Sequence, residues 1–99
     1  MTTLDVPTVL FICVSNSGKS VMAQALMRHI AGPCVRALSA GTHAKGVVNT
    51  LSAQSLAELG IDVGDHRPIQ LDDALVDAAD LIVVVGTAAQ PDLPEHGPP

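Results

Sequence analysis

Val9-Leu10-Phe11-Ile12-Cys13-Val14-Ser15-Asn16-Ser17-Gly18-Lys19-Ser20 carries a short apolar run into a loop of small residues that opens a helix, and a cysteine stands where the run ends. Backbone N–H groups in such a turn converge on one point. The helix that follows adds its unpaired N-terminal donors and the positive end of its dipole. The stretch therefore reads as a strand, a nest for an oxyanion and a helix start in one piece. The sulfur of Cys13 lies at the floor of that nest, where the same field favours a thiolate.

Two other readings fit parts of the stretch. The plain one is a buried cysteine at a strand end followed by an ordinary turn, since cysteine is among the most often buried residues. The other is a nucleotide-binding loop, because Gly18-Lys19-Ser20 closes the pattern G-x-x-x-x-G-K-[ST] in a strand, loop, helix context. Against it, Cys13 occupies the place of the first glycine. The later apolar run Leu81-Ile82-Val83-Val84-Val85 also leads into Gly86-Thr87-Ala88-Ala89 and offers no aspartate for magnesium.

Outward from this stretch the chain alternates strand and helix. Residues 8–12 read as a buried strand, and 20–31 as a helix whose apolar stripe is Met22, Leu26 and Ile30, stopped by Gly32-Pro33. A second strand is expected over 34–39. Asn49 or Thr50 can cap a helix carrying Leu51, Ala53, Leu56 and Ala57 before Gly60. A short helix over 72–79 precedes a third strand over 81–85, whose unbroken hydrophobicity is that of a strand covered on both faces. Right-handed crossovers then give an α/β fold of three layers, αβα, with a parallel sheet of order 2-1-3. The Cys13 loop falls at the carboxyl edge beside the switch point, where α/β folds bind ligands. Residues 87–99 hold most of the prolines and no apolar period, and read as an extended or disordered tail.

Composition narrows the function. Ninety-nine residues at 47% hydrophobic with one aromatic residue support a single modest domain over 1–99, packed by small aliphatics. No signal-like or membrane-length apolar run is present, so a soluble, cytoplasmic protein without a membrane partner is expected. The net charge of −5, with no stripe of Lys and Arg, argues against nucleic acid and makes anion binding a local matter. His29, His43, His66 and His96 lack paired ligand spacing, so no metal is expected. Cys13 and Cys34 form neither a disulfide framework nor C-x-x-C, and Cys34 is expected to be a buried structural thiol near the start of the second strand. His66-Arg67 reads first as a surface loop, with contact to a cosubstrate as the other reading. Asp92 lies in proline-rich surroundings that do not fix it near Cys13.

Read as C-x5-K followed by serine, the segment from Cys13 to Ala23 resembles the active-site loop of the low-molecular-weight tyrosine phosphatase and arsenate reductase superfamily. Within it, the loop is most similar to those of actinobacterial arsenate-mycothiol transferases, which also carry glycine and lysine before the serine. Ser39-Ala40-Gly41-Thr42, Asn49-Thr50-Leu51-Ser52, Glu58-Leu59-Gly60, residues 80–90 and Pro91-Asp92-Leu93-Pro94-Glu95 extend the likeness over nearly the whole chain. The superfamily continues with a fourth strand, a final helix and an acidic loop, so the resemblance implies a truncated domain. The hydrophobic edge at 81–85 is then expected either to pair with a second copy, as a homodimer, or to lower stability and activity.

The resemblance and the residue types together assign roles. Cys13 is the nucleophile, or the thiolate that organises bound arsenate, and Ser20 donates a hydrogen bond to it. Lys19 supplies positive charge, while the backbone N–H groups of Val14, Ser15, Asn16, Ser17, Gly18, Lys19 and Ser20 hold the oxyanion, whether arsenate, phosphate or sulfate. Asn16 braces the loop, and similarity to the family adds Ser39 as support. Lysine in place of the phosphatase arginine removes the planar fork that holds two oxygens through phosphoryl transfer. The expected function is therefore arsenate reduction as an arsenate-mycothiol transferase. No bound cofactor is expected; the resemblance implies mycothiol or a similar low-molecular-weight thiol as cosubstrate and a glutaredoxin-like mycoredoxin downstream. The alternatives are a tyrosine phosphatase with a cysteinyl-phosphate intermediate and an inactive oxyanion-binding fragment.

Overall fold

The computed structural model describes residues 6–63 and 65–86; the tail expected over 87–99, and Asp92 within it, lie outside the described residues. Strand β1 (Thr8–Cys13) is central, buried along its whole length, and pairs in parallel with β2 (Arg36–Gly41) on one side and β3 (Leu81–Val84) on the other. The sheet order is 2-1-3, as the crossovers require. Leu10 stands beside Leu38 and Ile82, and Ile12 beside Ala40 and Val84. Both ends of the β1–β3 pair are fastened: the Thr8 N–H donates to the Asp80 carboxylate at 2.7 Å, and the Val85 N–H donates to the Ile12 carbonyl at 2.7 Å.

Helices cover the two faces, giving three layers. On one face α1 (Lys19–Ala31) lays Ala23 and Met27 against Val9, Phe11 and Ala37. On the other, α3 (Asp73–Ala78) and its flanks bring Leu71, Leu75, Val76 and Ala79 onto Leu10, Ile12, Ala40 and Ile82. Each fully buried side chain of this size contributes roughly 1.5–3 kcal/mol. Helix α2 (Thr50–Ala57) lies beside α1 and buries Leu56. The helix starts follow capping chemistry, since Asn49 accepts from the Ser52 N–H at 3.1 Å and Asp72 from the Leu75 N–H at 2.8 Å. Gly60, at φ 79°, closes α2, with the Ile61 N–H returning to the Leu56 carbonyl.

Four expectations are corrected. The buried residues of α1 are Ser20, Val21, Gln24 and Ala25, with Ala23 and Met27 packed on the sheet, and Ile30 is 79% exposed, so Met22, Leu26 and Ile30 do not form the core stripe. Toward its end α1 is tied to β2, both Arg28 Nε and Nη2 donating to the Ala37 carbonyl at 3.1 and 2.8 Å. In α2, Leu51 is 72% exposed. Strand β2 begins two residues later than expected because Gly32–Cys34, led by proline, forms a 3-10 turn, and this leaves Cys34 exposed instead of buried. The third strand is, as expected, an outer strand among the described residues: Ile82 packs into the α3-side cluster and Val83 and Val85 against the α1-side cluster, while the edge position leaves Leu81 43% and Val84 40% exposed.

Candidate functional site

The carboxyl end of β1 and the start of α1 enclose the loop that the sequence singled out. Cys13 is buried at its base. Its sulfur accepts the Asn16 N–H at 3.2 Å and lies 2.9 Å from Ser20 Oγ. Asn16 is completely buried and adopts φ 54°, a left-handed conformation that asparagine tolerates better than other side chains. Its amide orientation follows from its partners. The Ile69 N–H donates to Oδ1 at 2.8 Å, so Nδ2 is the end that donates to Ser20 Oγ at 2.8 Å.

That orientation also fixes the bond to His66. His66 Nε2 lies 3.0 Å from Asn16 Oδ1, which only accepts, so this ring nitrogen carries the proton. Ser20 Oγ accepts from Asn16 and shares a hydrogen bond with the Cys13 sulfur; when Cys13 is a thiolate, which only accepts, Ser20 is the donor. In that state His66, Asn16 and Ser20 form one directed series of donors ending on sulfur. Burial lowers the pKa of His66 below its ordinary value, and the Arg28 guanidinium lowers it further, against the raising effect of its hydrogen bond with Asn16. His66 was not read from sequence as part of this site. The available signal was a buried asparagine carbonyl at the centre of the loop, which needs donors from elsewhere in the chain.

The next segment wraps the loop from outside. The N–H groups of Thr42 and His43 donate to the carbonyls of Cys13 and Val14, those of Lys45 and Asn49 to Ser15 and Ser17. Carbonyl oxygens are thereby held outward. Among the described residues the N–H groups of Ser15, Ser17 and Gly18 have no protein acceptor, and α1 starts at Gly18 with no side-chain cap. These donors border a pocket of about 280 Å³ lined by Cys13, Val14, Ser15, Ser17, Gly18 and Lys19, with Asn49, Val85 and Gly86 opposite. A nest of unpaired N–H groups, a helix start and a lysine can hold a tetrahedral anion above the sulfur.

Of the residues named from sequence, Cys13, Val14, Ser15, Asn16, Ser17, Gly18, Lys19 and Ser20 come together here. Ser15 and Ser17 share a side-chain hydrogen bond at 2.6 Å. Ser39 is buried on β2 beside Phe11, and its hydroxyl makes no hydrogen bond among the described residues. Support of the loop by Ser39 therefore has no visible bond behind it. Gly41 has a clearer role. A Cβ there would stand 2.5 Å from the Val14 carbonyl oxygen and 2.8 Å from the Asn16 nitrogen, so only glycine lets β2 end against the loop. Among the described residues no group of three or more His, Cys, Asp or Glu side chains gathers as a metal site, and no helix is long and apolar enough to cross a membrane.

Residues 8–98 match the model of the family described as low molecular weight phosphotyrosine protein phosphatase. The chain is 38% identical over 95 residues to a relative from Ralstonia solanacearum named as a probable low molecular weight protein-tyrosine-phosphatase, covering 94% of this chain and 65% of that one. It is 35% identical over 92 residues to an arsenate reductase of Brevibacillus brevis, covering 90% and 68%. Among solved structures it is similar to the thioredoxin-dependent arsenate reductase of Corynebacterium glutamicum, with a TM-score of 0.80 at 37% identity over 92% of this chain and 48% of that one. The chain thus spans between about half and two thirds of the length of these relatives.

Proposed function

Because this chain belongs to the low molecular weight phosphotyrosine protein phosphatase family, whose members similar to it include both tyrosine phosphatases and arsenate reductases, we propose that it acts on arsenate as an arsenate-mycothiol transferase. The observation that carries the reading is the Cys13 sulfur, held by the Asn16 N–H and Ser20 Oγ beneath a nest of free N–H groups whose cation is lysine. Arsenate exchanges its oxygens more readily than phosphate. A point charge therefore suffices where phosphoryl transfer calls for a planar guanidinium fork.

In this reading the loop holds arsenate as the dianion, and Cys13 and Lys19 orient it. The sulfur of a thiol cosubstrate attacks arsenic, an As–S bond forms and one As–O bond breaks. RSH and HAsO4²⁻ yield RS–AsO3²⁻ and water, so arsenic stays pentavalent and reduction belongs to a later thiol exchange, for which a mycoredoxin is the proposed partner. The position of Cys34 supports an attacking thiol from outside the pair of cysteines in these 99 residues. It precedes the strand end at Arg36, which pairs with Thr8, whereas Cys13 is at the far end beside Gly41. At about 3.3 Å per residue that separates them by roughly the length of a strand, on the order of 15 Å or more, while disulfide formation needs Cα atoms within about 7 Å.

Arsenate consumption by one preparation, supplied in turn with mycothiol and with thioredoxin, and compared with aryl phosphate hydrolysis, tests the proposal. Turnover with mycothiol that exceeds both other arms is the expected result. Turnover with thioredoxin alone would give the chain the thioredoxin dependence of its Corynebacterium neighbour, and faster aryl phosphate hydrolysis would make it a phosphatase with a cysteinyl-phosphate intermediate. Binding of arsenate without turnover would leave an oxyanion-binding fragment. Lys19→Arg is expected to raise aryl phosphate hydrolysis relative to arsenate turnover by about tenfold, the equivalent of roughly one added charge-assisted hydrogen bond. An unchanged ratio would remove lysine as the selecting feature.

A further inference from the structure

Gly86 follows β3 and faces the loop from across the sheet edge. The Val85 N–H, bonded to the Ile12 carbonyl, fixes this end of the chain one residue from the cysteine strand end. Gly86 takes φ +88°, and the three atoms nearest to a Cβ built there all belong to Lys19: Nζ at 3.2 Å, Cδ at 3.4 Å and Cε at 3.9 Å. Both residues line the Cys13 pocket. The lysine chain is therefore laid along the space that a side chain at position 86 would fill.

We propose that Gly86 is a positioning residue for the oxyanion site: its missing side chain is the slot in which Lys19 lies, and this slot keeps the ammonium at the mouth of the Cys13 pocket. Lys19 is exposed at the first position of α1, with no carboxylate partner among the described residues. An unpaired ammonium on four methylenes samples many directions in water, and its field at the pocket falls as it swings outward. Backbone alone faces it at Gly86. A methyl group there meets the far end of a flexible chain rather than the core, so the contact itself is relieved when the lysine moves, and the separate strain of the positive φ is the same with and without Lys19. An acidic side chain at the same place would pair with the ammonium and cancel the charge that selects a dianionic tetrahedral ligand. The inference deepens the proposed function and rests on its reading of the loop as an oxyanion site.

The test reads the field at Cys13 directly and needs no arsenate turnover, so its failure is distinct from failure of the proposed reaction. Alkylation rates at Cys13 with anionic iodoacetate and neutral iodoacetamide are compared by peptide mass spectrometry, with exposed Cys34 as the internal reference. Each reagent forms a thioether and releases iodide. In the native chain the iodoacetate to iodoacetamide ratio is expected to be higher at Cys13 than at Cys34. Gly86→Ala should lower the Cys13 ratio at least threefold and leave that of Cys34 unchanged. In a Lys19→Ala background the same change at position 86 should have no further effect. An unchanged ratio in Gly86→Ala, or an equal fall with and without Lys19, overturns the proposal. If the positive φ keeps Gly86→Ala from folding, Gly86→Asn, which tolerates that backbone better, carries the same comparison. Should both variants fail to fold even without the lysine side chain, Gly86 serves the backbone alone and the assignment is wrong.

Discussion

Asn16 does more than any other single side chain in the loop. It joins Cys13 through its backbone N–H, Ser20 through Nδ2, and His66 and Ile69 through Oδ1. Replacing it by alanine leaves the Ile69 N–H, the His66 ring and a left-handed backbone without what satisfies them. Asn16→Ala is therefore expected to cost about 3 kcal/mol, from roughly 1 kcal/mol for each of the two part-buried donors it orphans and about 1 kcal/mol of backbone strain. Ser39→Ala, by contrast, removes a buried hydroxyl that makes no hydrogen bond among the described residues, and should change stability by no more than about 1 kcal/mol. Urea unfolding of the two variants checks both values. A loss for Ser39→Ala as large as that for Asn16→Ala would show that its hydroxyl supports the loop after all.

At the level of elements, the site is made where the end of β2 passes beneath the turn between β1 and α1. Gly41 is the point of closest approach, and its own N–H and carbonyl are already engaged by the Ile69 carbonyl and the Leu71 N–H. Gly41→Ala therefore cannot relieve its contacts by moving away. Backbone must shift on one side or the other, at a cost of about 1–3 kcal/mol, the usual price of overpacking. The atoms displaced belong to Val14, Ser15 and Asn16, so sulfate affinity at the loop should fall at least tenfold along with stability. Sulfate protection of Cys13 against alkylation, measured beside thermal unfolding, reports both. Full protection in a destabilised variant would mean that the strain is absorbed in β2.

For the molecule as a whole, His66 couples the pH of the solution to the fold. Its pKa is lowered in the folded chain, so just below the ordinary value of about 6.5 the unfolded chain binds more protons than the folded one. Stability must then fall as pH drops from about 6.5 through the lowered folded value, and His66 adds no slope above that range. His66→Gln keeps an N–H donor for Asn16 and removes the titration. Melting temperatures of the native chain and the variant between pH 7.5 and 5 should converge toward the acid end; parallel curves would show that His66 does not carry the slope. Much of this architecture is visible in the sequence itself. The β1 apolar run, the small-residue loop, the Asn49 cap and the alternating strand and helix order are patterns among neighbours a few residues apart; they bring Cys13, Lys19 and Ser20 into one loop, and right-handed crossovers then order the sheet 2-1-3. The sequence pattern did not identify which face of α1 turns inward, the exposure of Cys34 and Ile30, the bond from His66 to Asn16, or the need for glycine at positions 41 and 86. Cys34 is turned out by the local proline-led turn over Gly32–Cys34, whereas the His66 bond and the two glycines depend on segments about 25 to 70 residues distant, and only packing the helices on the sheet decides which face of α1 turns inward and which of these distant atoms meet.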